Sequence, residues 1–507
     1  MSHTWSTIPL LPLRCILEHL STEDALAAMS VCRHWRDAIH VYEGHKELLK
    51  LRVKQLEKCK FVSRVFKKNV RKLHLYIDCN EPEIDKFMNL VFPQFFDSPN
   101  LEEILFIGPS YMQLSNHVPF IKLKSRVQIE SLVYKNIQSL KKLGFMGCGM
   151  AAVKNENERY SNKQVEYYSR PLKFNTILAM ADTILSSTNQ HLMRYSTITH
   201  LIVDYEQLST SSLITLSQLK SFRYLTLNIT NRKPALQRID WETMHDFYKY
   251  SLRVTVNIIA VPYRRFEDIM QNVLVEGLRL ISLKVMFCKS LYTPLLSHIS
   301  RLYQNTLQEV IWADCPYDSS DPYHRVVRPL RQAQPDTYAH VNPFVLLCWQ
   351  CMHLQRLAIH GYWVWQYDLL GFVRLRKGLM QLEISAIYHK QDRFHNMIQL
   401  SEEGAIRVLC GDQPPPVDPE YVQEVNEYTD FKWRPTPWSS LHPGLRARAT
   451  LQQRIDYVVS EARVPTGVVH KLNGETTAIA TTEDSLQLSI KISIQHLVIY
   501  GVKSKLR

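Results

Sequence analysis

Two cysteines with redox or metal-ligand spacing, Cys348 and Cys351 of Cys-Trp-Gln-Cys, are the first candidates for chemistry in this sequence. A dithiol oxidoreductase places such a pair at a helix N-terminus, and a structural zinc site needs two more ligands at matching spacing. No second Cys-x-x-Cys occurs, and His353 and His360 are not spaced as zinc ligands. Because Cys351 precedes regularly spaced leucines, the sequence favours a buried core position for the pair, with a redox site as the alternative.

Other catalytic signatures are missing from the sequence. It has no His-Glu-x-x-His zinc motif and no Gly-x-Ser-x-Gly nucleophile motif, and its 15 glycines form no phosphate-binding loop. Lone Ser, His and Asp residues occur without a spacing that would bring them together. The sequence therefore predicts a chain that is not an enzyme and that needs no metal or cofactor.

Composition is typical of a folded protein, with 45% hydrophobic and 21% charged residues in 507. No apolar run approaches the roughly 18 residues of a membrane span, and the first residues do not resemble a secretory signal. The ten cysteines are scattered, which is typical of reduced thiols. We therefore expect no membrane contact and a cytoplasmic and/or nuclear location.

The net charge of +13 is concentrated in one segment. Residues 46–72 hold eleven Lys or Arg and two acids, whereas residues 401–430 hold eight acids and one Arg. The basic segment, taken over 45–72, predicts an amphipathic helix whose charges face water. The alternatives are a nuclear import signal or a nucleic-acid site, but few aromatic side chains interleave with the charges to stack on bases.

One apolar pattern, apolar-x-x-apolar-x-apolar, returns along most of the chain. It occurs at Val70/Leu73/Leu75, Leu101/Ile104/Phe106, Leu140/Leu143/Phe145, Ile198/Leu201/Val203, Phe222/Leu225/Leu227, Leu280/Leu283/Val285, Leu307/Val310/Trp312, Leu354/Leu357/Ile359, Leu379/Leu382/Ile384 and Ile494/Leu497/Ile499. Three spacings between middle residues, 24, 27 and 25, match a leucine-rich repeat. The stretch 252–258 predicts a further strand inside a longer gap. Such units bury their apolar face only by stacking, which predicts an α/β solenoid with a rigid concave face suited to protein partners.

Three cysteines support the repeat interpretation. Cys148, Cys288 and Cys315 each follow the last apolar position of a triple by three residues, where leucine-rich repeats place Asn or Cys. The pattern resembles the cysteine-containing leucine-rich repeat, and we expect these thiols to be buried at the turn beneath the strand.

The N-terminal segment predicts three short helices that cannot bury their own apolar surface. Ile8-Pro9 opens the first helix, Ser21 to Asp24 the second, and Ser30 the third. A unit of about thirty residues needs a partner or a neighbouring domain to be stable. An ordinary helical hairpin is the alternative.

This segment resembles the F-box, whose pattern is Leu-Pro, then leucines, then a Val-Cys-x-x-Trp helix. Pro12 and the absence of a late Trp depart from that pattern. The resemblance implies docking onto a Skp adaptor and, through it, a cullin–RING scaffold. The implied adaptor-binding residues are Ile8, Pro9, Leu13, Ile16, Leu17, Leu20, Leu26, Val31, Cys32 and Trp35. The architecture is similar to F-box only proteins of the thirty-three and thirty-nine type.

We therefore expect a substrate-recognition subunit of a Skp–cullin–F-box ubiquitin ligase, with an unknown protein substrate bound by the repeats. The alternative is a nucleic-acid-associated repeat protein. The expected organisation is an F-box at 6–50, a basic helical linker at 51–69, a solenoid at 70–390, a Pro-rich acidic insertion, partly disordered, at 391–445, and a helix with a terminal strand that closes the solenoid at 446–507. The aromatics of the insertion are either partner anchors or fold back on the solenoid edge.

Overall fold

Parallel strands, contributed in chain order, dominate the computed structural model of this protein. It describes residues 8–20, 24, 27–41, 48–67, 70–77, 81–108, 123–147, 197–208, 213, 216, 219, 221–230, 236–242, 252–289, 291–314, 342–362, 364–388, 420–437, 440–446 and 449–464. Within these residues, one parallel sheet of eleven strands runs β1 to β10 and then β12, and β11 pairs with β13. The confirmed fold class is α/β, with a short helical unit followed by a solenoid.

The strands are short and begin at regular points of the apolar pattern. Their bounds are β1 Leu48–Arg52, β2 Lys72–Tyr76, β3 Glu103–Ile107, β4 Lys142–Met146, β5 His200–Asp204, β6 Tyr224–Ile229, β7 Arg253–Ile259, β8 Leu280–Met286, β9 Glu309–Ala313, β10 Arg356–His360, β11 Val364–Trp365, β12 Gln381–Ile384 and β13 Ile387–Tyr388. The middle residues of the triples stand in register, as in Leu73, Ile104 and Leu143 of β2 to β4.

Most described helices connect consecutive strands. They are α1 Leu10–Glu18, α2 Arg33–Val41, α3 Leu56–Phe66, α4 Ile84–Val91, α5 Leu123–Lys135, α6 Phe266–Asn272, α7 Thr293–Leu302, α8 Pro343–Gln350, α9 Gln366–Leu375, α10 Glu420–Tyr428 and α11 Leu451–Arg463. Helices α3 to α9 pack on one face of the sheet, which we call the outer face. The apolar residues of the triples point into the core between that face and these helices, where Phe106 and Phe145 stack with ring centres 5.2 Å apart.

Helix α11 packs on the opposite face of the sheet, which we call the inner face. Thr450 caps it in a reciprocal pair with Gln453, which explains why the helix begins at Leu451. The preceding turn lies so close that a Cβ on Gly444 would clash with the Gln453 carbonyl oxygen. Val458 and Ala462 of α11 join an apolar cluster with alternate strand residues such as Leu105.

The sheet curls around α11. Two ion pairs show this, because they join the same helix to strands near opposite ends of the sheet. Arg52 of β1 lies 3.6 Å from Asp456, and Arg356 of β10 lies 3.8 Å from Glu461. In a flat sheet nine strand intervals of about 4.8 Å would separate β1 from β10 by about 43 Å. Asp456 and Glu461, which bind these two strands, are five residues apart and therefore only about 7.5 Å apart along the axis of α11. Both ends therefore reach the helix because the inner face is concave and α11 occupies its concavity.

Two expectations about the organisation of the chain differ from the structure. The helix expected over 45–72 is wrong for Leu48–Arg52, which forms β1, so the sheet begins inside the expected F-box and linker. Lys46 replaces the first apolar residue of a triple there, and this hides the strand from the pattern. The expected C-terminal helix is present, but it fills the concave face instead of closing the end of the sheet.

Part of the Pro-rich segment folds back onto the edge of the sheet. Helix α10 packs against α9, and the indole of Trp433 is buried, with its Nε1–H donating to the Leu382 carbonyl oxygen of β12 at 2.9 Å. Three expectations fall on residues that the structure does not describe. They are the loop at 149–170, the first part of the insertion at 391–419 and the terminal strand at 489–500.

Candidate functional site

The N-terminal unit has a small apolar core of its own. Its buried members are Leu13, Leu17, Leu20, Ala28, Met29, Trp35, Ala38 and Ile39. Val65 of α3 is half-buried and packs against both this core and the outer-face core of the sheet. The unit is therefore a separate cluster that touches the solenoid at its first repeat.

Hydrogen bonds hold the residues before α1 against α2. The His34 side chain donates from Nε2 to the Ile8 carbonyl oxygen at 2.7 Å. Arg36 Nε donates to the Met29 carbonyl oxygen at 3.3 Å. The backbone at Ile8-Pro9 is thus fixed beside α2, although the two segments are 26 residues apart in sequence.

Large apolar side chains on this unit remain accessible. Leu10, Leu11 and Val31 are 55%, 76% and 58% exposed, and Pro9 is exposed beside them. Ordinary surfaces carry isolated apolar residues, but three large apolar side chains more than half exposed on so small a unit make it a candidate interaction surface. We call Pro9, Leu10, Leu11 and Val31 the exposed strip.

The ten residues implied as adaptor-binding fall into three groups. Pro9 and Val31 are exposed, and Ile8, Ile16 and Cys32 are half-buried. The buried group belongs to the small core and consists of Leu13, Leu17, Leu20 and Trp35. Leu26 lies outside the described residues. The unit therefore divides its apolar residues between holding itself together and facing outward.

Leu10 and Leu11 are apolar surface that the sequence reasoning did not single out. Leu11 lies off the face of α1 that Leu13 and Leu17 share, whereas Leu10 is on that face but is the first residue of the helix. A large apolar residue on the solvent side of an amphipathic helix, Leu11, was the available signal.

The basic segment 46–72 pairs several of its charges with acids of the chain. Lys60 lies 2.6 Å from Glu57 and Arg71 lies 3.1 Å from Glu102. Arg52 lies over the Tyr76 ring at 3.9 Å and reaches Asp456. These contacts build the first repeats, and they do not favour the nucleic-acid alternative.

The Cys-Trp-Gln-Cys pair is buried at the end of α8. Burial raises the pKa of the Cys351 thiol to about 12, and it raises the pKa of Cys348 further above the ordinary range. A redox dithiol needs an exposed thiol with a lowered pKa, so these two cysteines favour the core interpretation. Among the described residues no group of three His, Cys, Asp or Glu side chains is arranged to hold a metal ion.

Acceptor side chains at the carboxyl ends of the strands bind the backbone of the preceding turn. The Val261 N–H donates to Cys288 Sγ at 3.4 Å, and the Lys289 N–H donates to Asp314 Oδ2 at 2.8 Å. The buried position expected of Cys288 at the turn agrees with this contact. Cys148 and Cys315 lie outside the described residues.

Charged side chains of the inner face are buried beneath α11. Lys284 of β8 has no exposed side-chain surface and donates to the Glu461 carboxylate at 3.0 Å and to the Glu461 carbonyl oxygen at 2.9 Å. Lys142 donates to the Arg463 carbonyl oxygen at 2.6 Å, and Arg463 lies 3.1 Å from Glu103. The concave face expected to receive a partner is filled by the chain's own helix.

No described helix has both the length and the apolar composition of a membrane span. The described cysteines are not in disulfide bonds; they are Cys15, Cys32, Cys59, Cys288, Cys348 and Cys351.

Comparison with known proteins identifies the N-terminal unit. Residues 5–43 match the F-box domain. Human F-box only protein 33 (Homo sapiens) is 49% identical over 45 residues, which are 9% of this chain and 8% of that protein. The mouse protein of the same name (Mus musculus) is 54% identical over 35 residues, or 7% and 6%. The matches thus span less than a tenth of the length of these relatives.

A search of solved structures finds a chain of the crystal structure of the Rad7 and Elc1 complex in yeast. The two chains superpose with a TM-score of 0.31 and 13% identity, over 77% of this chain and 90% of that chain. The F-box assignment rests on residues 5–43, and the resemblance seen in the spacing of Ile8-Pro9, the leucines and Val31-Cys32-x-x-Trp35 is confirmed there.

Proposed function

We propose that this F-box-bearing chain is the substrate-recognition subunit of a Skp–cullin–F-box ubiquitin ligase. The F-box would dock a Skp-type adaptor and, through it, a cullin–RING scaffold, and the solenoid would bind a protein substrate for ubiquitination and degradation. The chain itself would be non-catalytic and would act in the cytoplasm and/or the nucleus. Its contribution is proximity, because holding a substrate beside the ubiquitin-charged enzyme raises the local concentration of its lysines.

The observation that carries this proposal is the exposed strip on a matched F-box domain. Leu10, Leu11 and Val31 are large apolar side chains that stand more than half exposed on a unit with its own core. Covering them with a partner removes apolar surface from water, which favours association. Of the ten implied residues, Leu13, Leu17, Leu20 and Trp35 would support docking by shaping the unit, whereas Pro9 and Val31 would contact the adaptor directly.

The test is co-purification of the full chain with a purified Skp adaptor. Leu11→Asp combined with Val31→Asp places carboxylates where the interface would be dry, so we expect at least a tenfold loss of adaptor affinity. Both positions are on the surface, so the variant should unfold at the same denaturant concentration as the wild type.

The matched control is Phe61→Asp on α3, since Phe61 is 54% exposed and lies outside the F-box. It should bind adaptor within twofold of the wild type. Equal capture by the strip variant and the wild type would contradict the proposal, as would a wild-type chain that binds no adaptor.

A further inference from the structure

Because α11 fills the concave face, a substrate would have to bind another part of the surface. Displacing α11 would uncover Val458, Val459 and Ala462 and would break the contacts of buried Lys284 with Glu461. A substrate segment entering that face would have to replace all of these contacts. For the function proposed above, on which this inference rests, a surface other than the concave face is required.

Four exposed apolar side chains gather at one end of the solenoid. Trp349 and Met352 are 60% and 66% exposed, and Leu375 and Met380 are 41% and 48% exposed. Trp349 lies in the last turn of α8, and Met352 lies in the loop that leads to β10. Leu375 is the last residue of α9, and Met380 lies in the equivalent loop before β12. We call these four residues the Trp349 patch.

Hydrogen bonds to backbone carbonyl oxygens join these two segments into a single surface. Arg376 donates from Nε to the Cys348 carbonyl oxygen at 3.0 Å, from Nη1 to that of Met352 at 2.6 Å, and from Nη2 to that of Trp349 at 3.4 Å. The Met380 N–H donates to the Gln355 carbonyl oxygen at 2.8 Å. Arg376 thus caps the carboxyl end of α8 from the neighbouring repeat, and the apolar side chains around it stand on fixed backbone.

The two segments that carry the patch contain basic side chains and no acidic ones. Residues 349–355 and 374–381 contain Arg374, Arg376, Lys377 and His353 and no Asp or Glu. Lys377 and His353 are exposed, whereas Arg374 lies over the Tyr428 ring and 3.9 Å from Glu424 of α10. A partner of matching charge would therefore be acidic, and it would bring apolar side chains to cover the indole and the thioethers.

We propose that the Trp349 patch binds an acidic segment of the substrate that carries aromatic or aliphatic side chains. Trp is the residue type most often found at the energetic centre of protein interfaces, and methionine adapts its shape to different partners. The basic rim steers the acidic segment toward the patch and sets its orientation. The substrate class is thus a protein with a short acidic, apolar-punctuated recognition segment.

The probe for this proposal is a displayed library of random 16-residue peptides selected on the full chain. Enriched peptides, synthesised with a fluorophore, should be rich in Asp or Glu with aromatic or aliphatic residues between them. Trp349→Ser combined with Met352→Ser should weaken their binding at least tenfold, measured by fluorescence anisotropy. Lys377→Glu, which leaves the apolar side chains in place, should weaken it several-fold, and the effect should shrink as salt rises.

Phe61→Ser is the control variant, because Phe61 is an exposed aromatic flanked by Lys58, Lys60 and Arg64. Retention of peptide binding within twofold by this variant separates the patch from general attraction to basic surfaces. Unfolding curves of the three variants should match that of the wild type, since every substituted side chain is on the surface.

Selection of no peptide, or of peptides that bind the Trp349→Ser/Met352→Ser variant as well as the wild type, would overturn the proposal. The same result would follow if another segment of this chain or a second copy covered the patch. Adaptor capture is read separately: Leu11→Asp/Val31→Asp should lose the adaptor and keep the peptide, and the patch variant should do the reverse. Failure of the patch proposal and failure of the ligase proposal are therefore distinct outcomes.

Discussion

At the residue scale, the most consequential side chain is Lys284, which is fully buried in the middle of the sheet. Its charge is compensated by Glu461 of α11 at 3.0 Å and by Glu309 of β9 at 3.5 Å. Arg356 completes the group, 2.7 Å from Glu309. A buried cluster of this kind adds little net stability over an apolar one, but removing a single member leaves a charge uncompensated.

Glu461→Ala should therefore destabilise the protein by about 3 kcal/mol, at the low end of the cost of breaking a buried pair because Glu309 stays beside Lys284. The free energy of unfolding in urea is the measurement. Glu57→Ala breaks the exposed pair with Lys60 and should cost less than about 1 kcal/mol. Equal costs for the two variants would show that α11 does not bury Lys284.

Histidines of the inner face make stability depend on pH. Burial lowers the pKa of His74, despite its hydrogen bond with Glu103, and holds that of His200 well below its ordinary value. Below about pH 6.5 the unfolded chain binds more protons at these sites than the folded chain. The folded state therefore loses stability as pH falls. Asp314, whose pKa burial raises to about 6, contributes with the opposite sign below that pH.

A comparison of the wild type with His200→Gln isolates one histidine from Asp314. The difference in unfolding free energy between the two proteins should change in favour of the variant by up to about 1.4 kcal/mol per pH unit below pH 6.5. Urea unfolding at pH 7.5, 6.5, 6.0 and 5.5 measures it. A curve for His200→Gln that runs parallel to that of the wild type at every pH would contradict the assignment.

At the scale of elements, the segment after α10 covers the last strand of the sheet. An exposed edge strand presents unpaired backbone groups to other chains. Here the Thr436 N–H donates to the Ile384 carbonyl oxygen at 2.8 Å, and Trp433 packs into the core beside Tyr421 with ring centres 6.5 Å apart. Tyr421 and Trp433 of the acidic, Pro-rich segment thus pack at the solenoid edge, as in the second of the two interpretations open from sequence, and Trp438 lies outside the described residues.

Trp433→Ala should cost about 3–5 kcal/mol, as for other large core truncations, and should release this segment before the sheet unfolds. Hydrogen exchange should show loss of protection at Thr436 with protection retained in β8 and β9. Tyr428→Ala, at a side chain that is 37% exposed, is the matched control and should leave exchange at Thr436 unchanged. Simultaneous loss of protection in β9 would mean that edge and sheet unfold as one unit.

At the scale of the whole molecule, two apolar cores meet at a single described residue, Val65. The F-box core and the outer-face core of the sheet are otherwise separate clusters. A unit of about thirty residues gains little stability from its own core. We therefore expect the F-box to be less stable than the described sheet.

Trp35→Ala should unfold the F-box and leave the solenoid folded. The thermal transition of the sheet, followed by circular dichroism, should move by less than about 3 °C, as expected for a change outside the cooperative unit. Protease should cut within residues 8–41 of the variant first. The adaptor should protect the wild type against this cleavage and fail to protect the variant. A single transition lowered for the whole chain would contradict two units.

The sequence by itself determined the elements whose burial repeats along the chain. The triples mark the residues of β2 to β6, β8 to β10 and β12 that face the outer core, because side chains alternate between the two faces of a strand and the periodicity records the face that the helices cover. The spacing from Ile8-Pro9 to Trp35 likewise determined the F-box. The apolar pattern does not predict strand β1, because Lys46 stands at the first apolar position of its triple.

Only the tertiary structure decided which surfaces are left for partners. The pattern of α11 shows that it is amphipathic, but periodicity carries no information about the surface that receives it, and that surface is the concave face. Trp433 and Trp349 are residues of the same type, yet Trp433 is buried and Trp349 is exposed. Burial depends on contacts between residues that are far apart in the chain, such as Trp433 with Leu382, and these exist only once the sheet has curled around its helix.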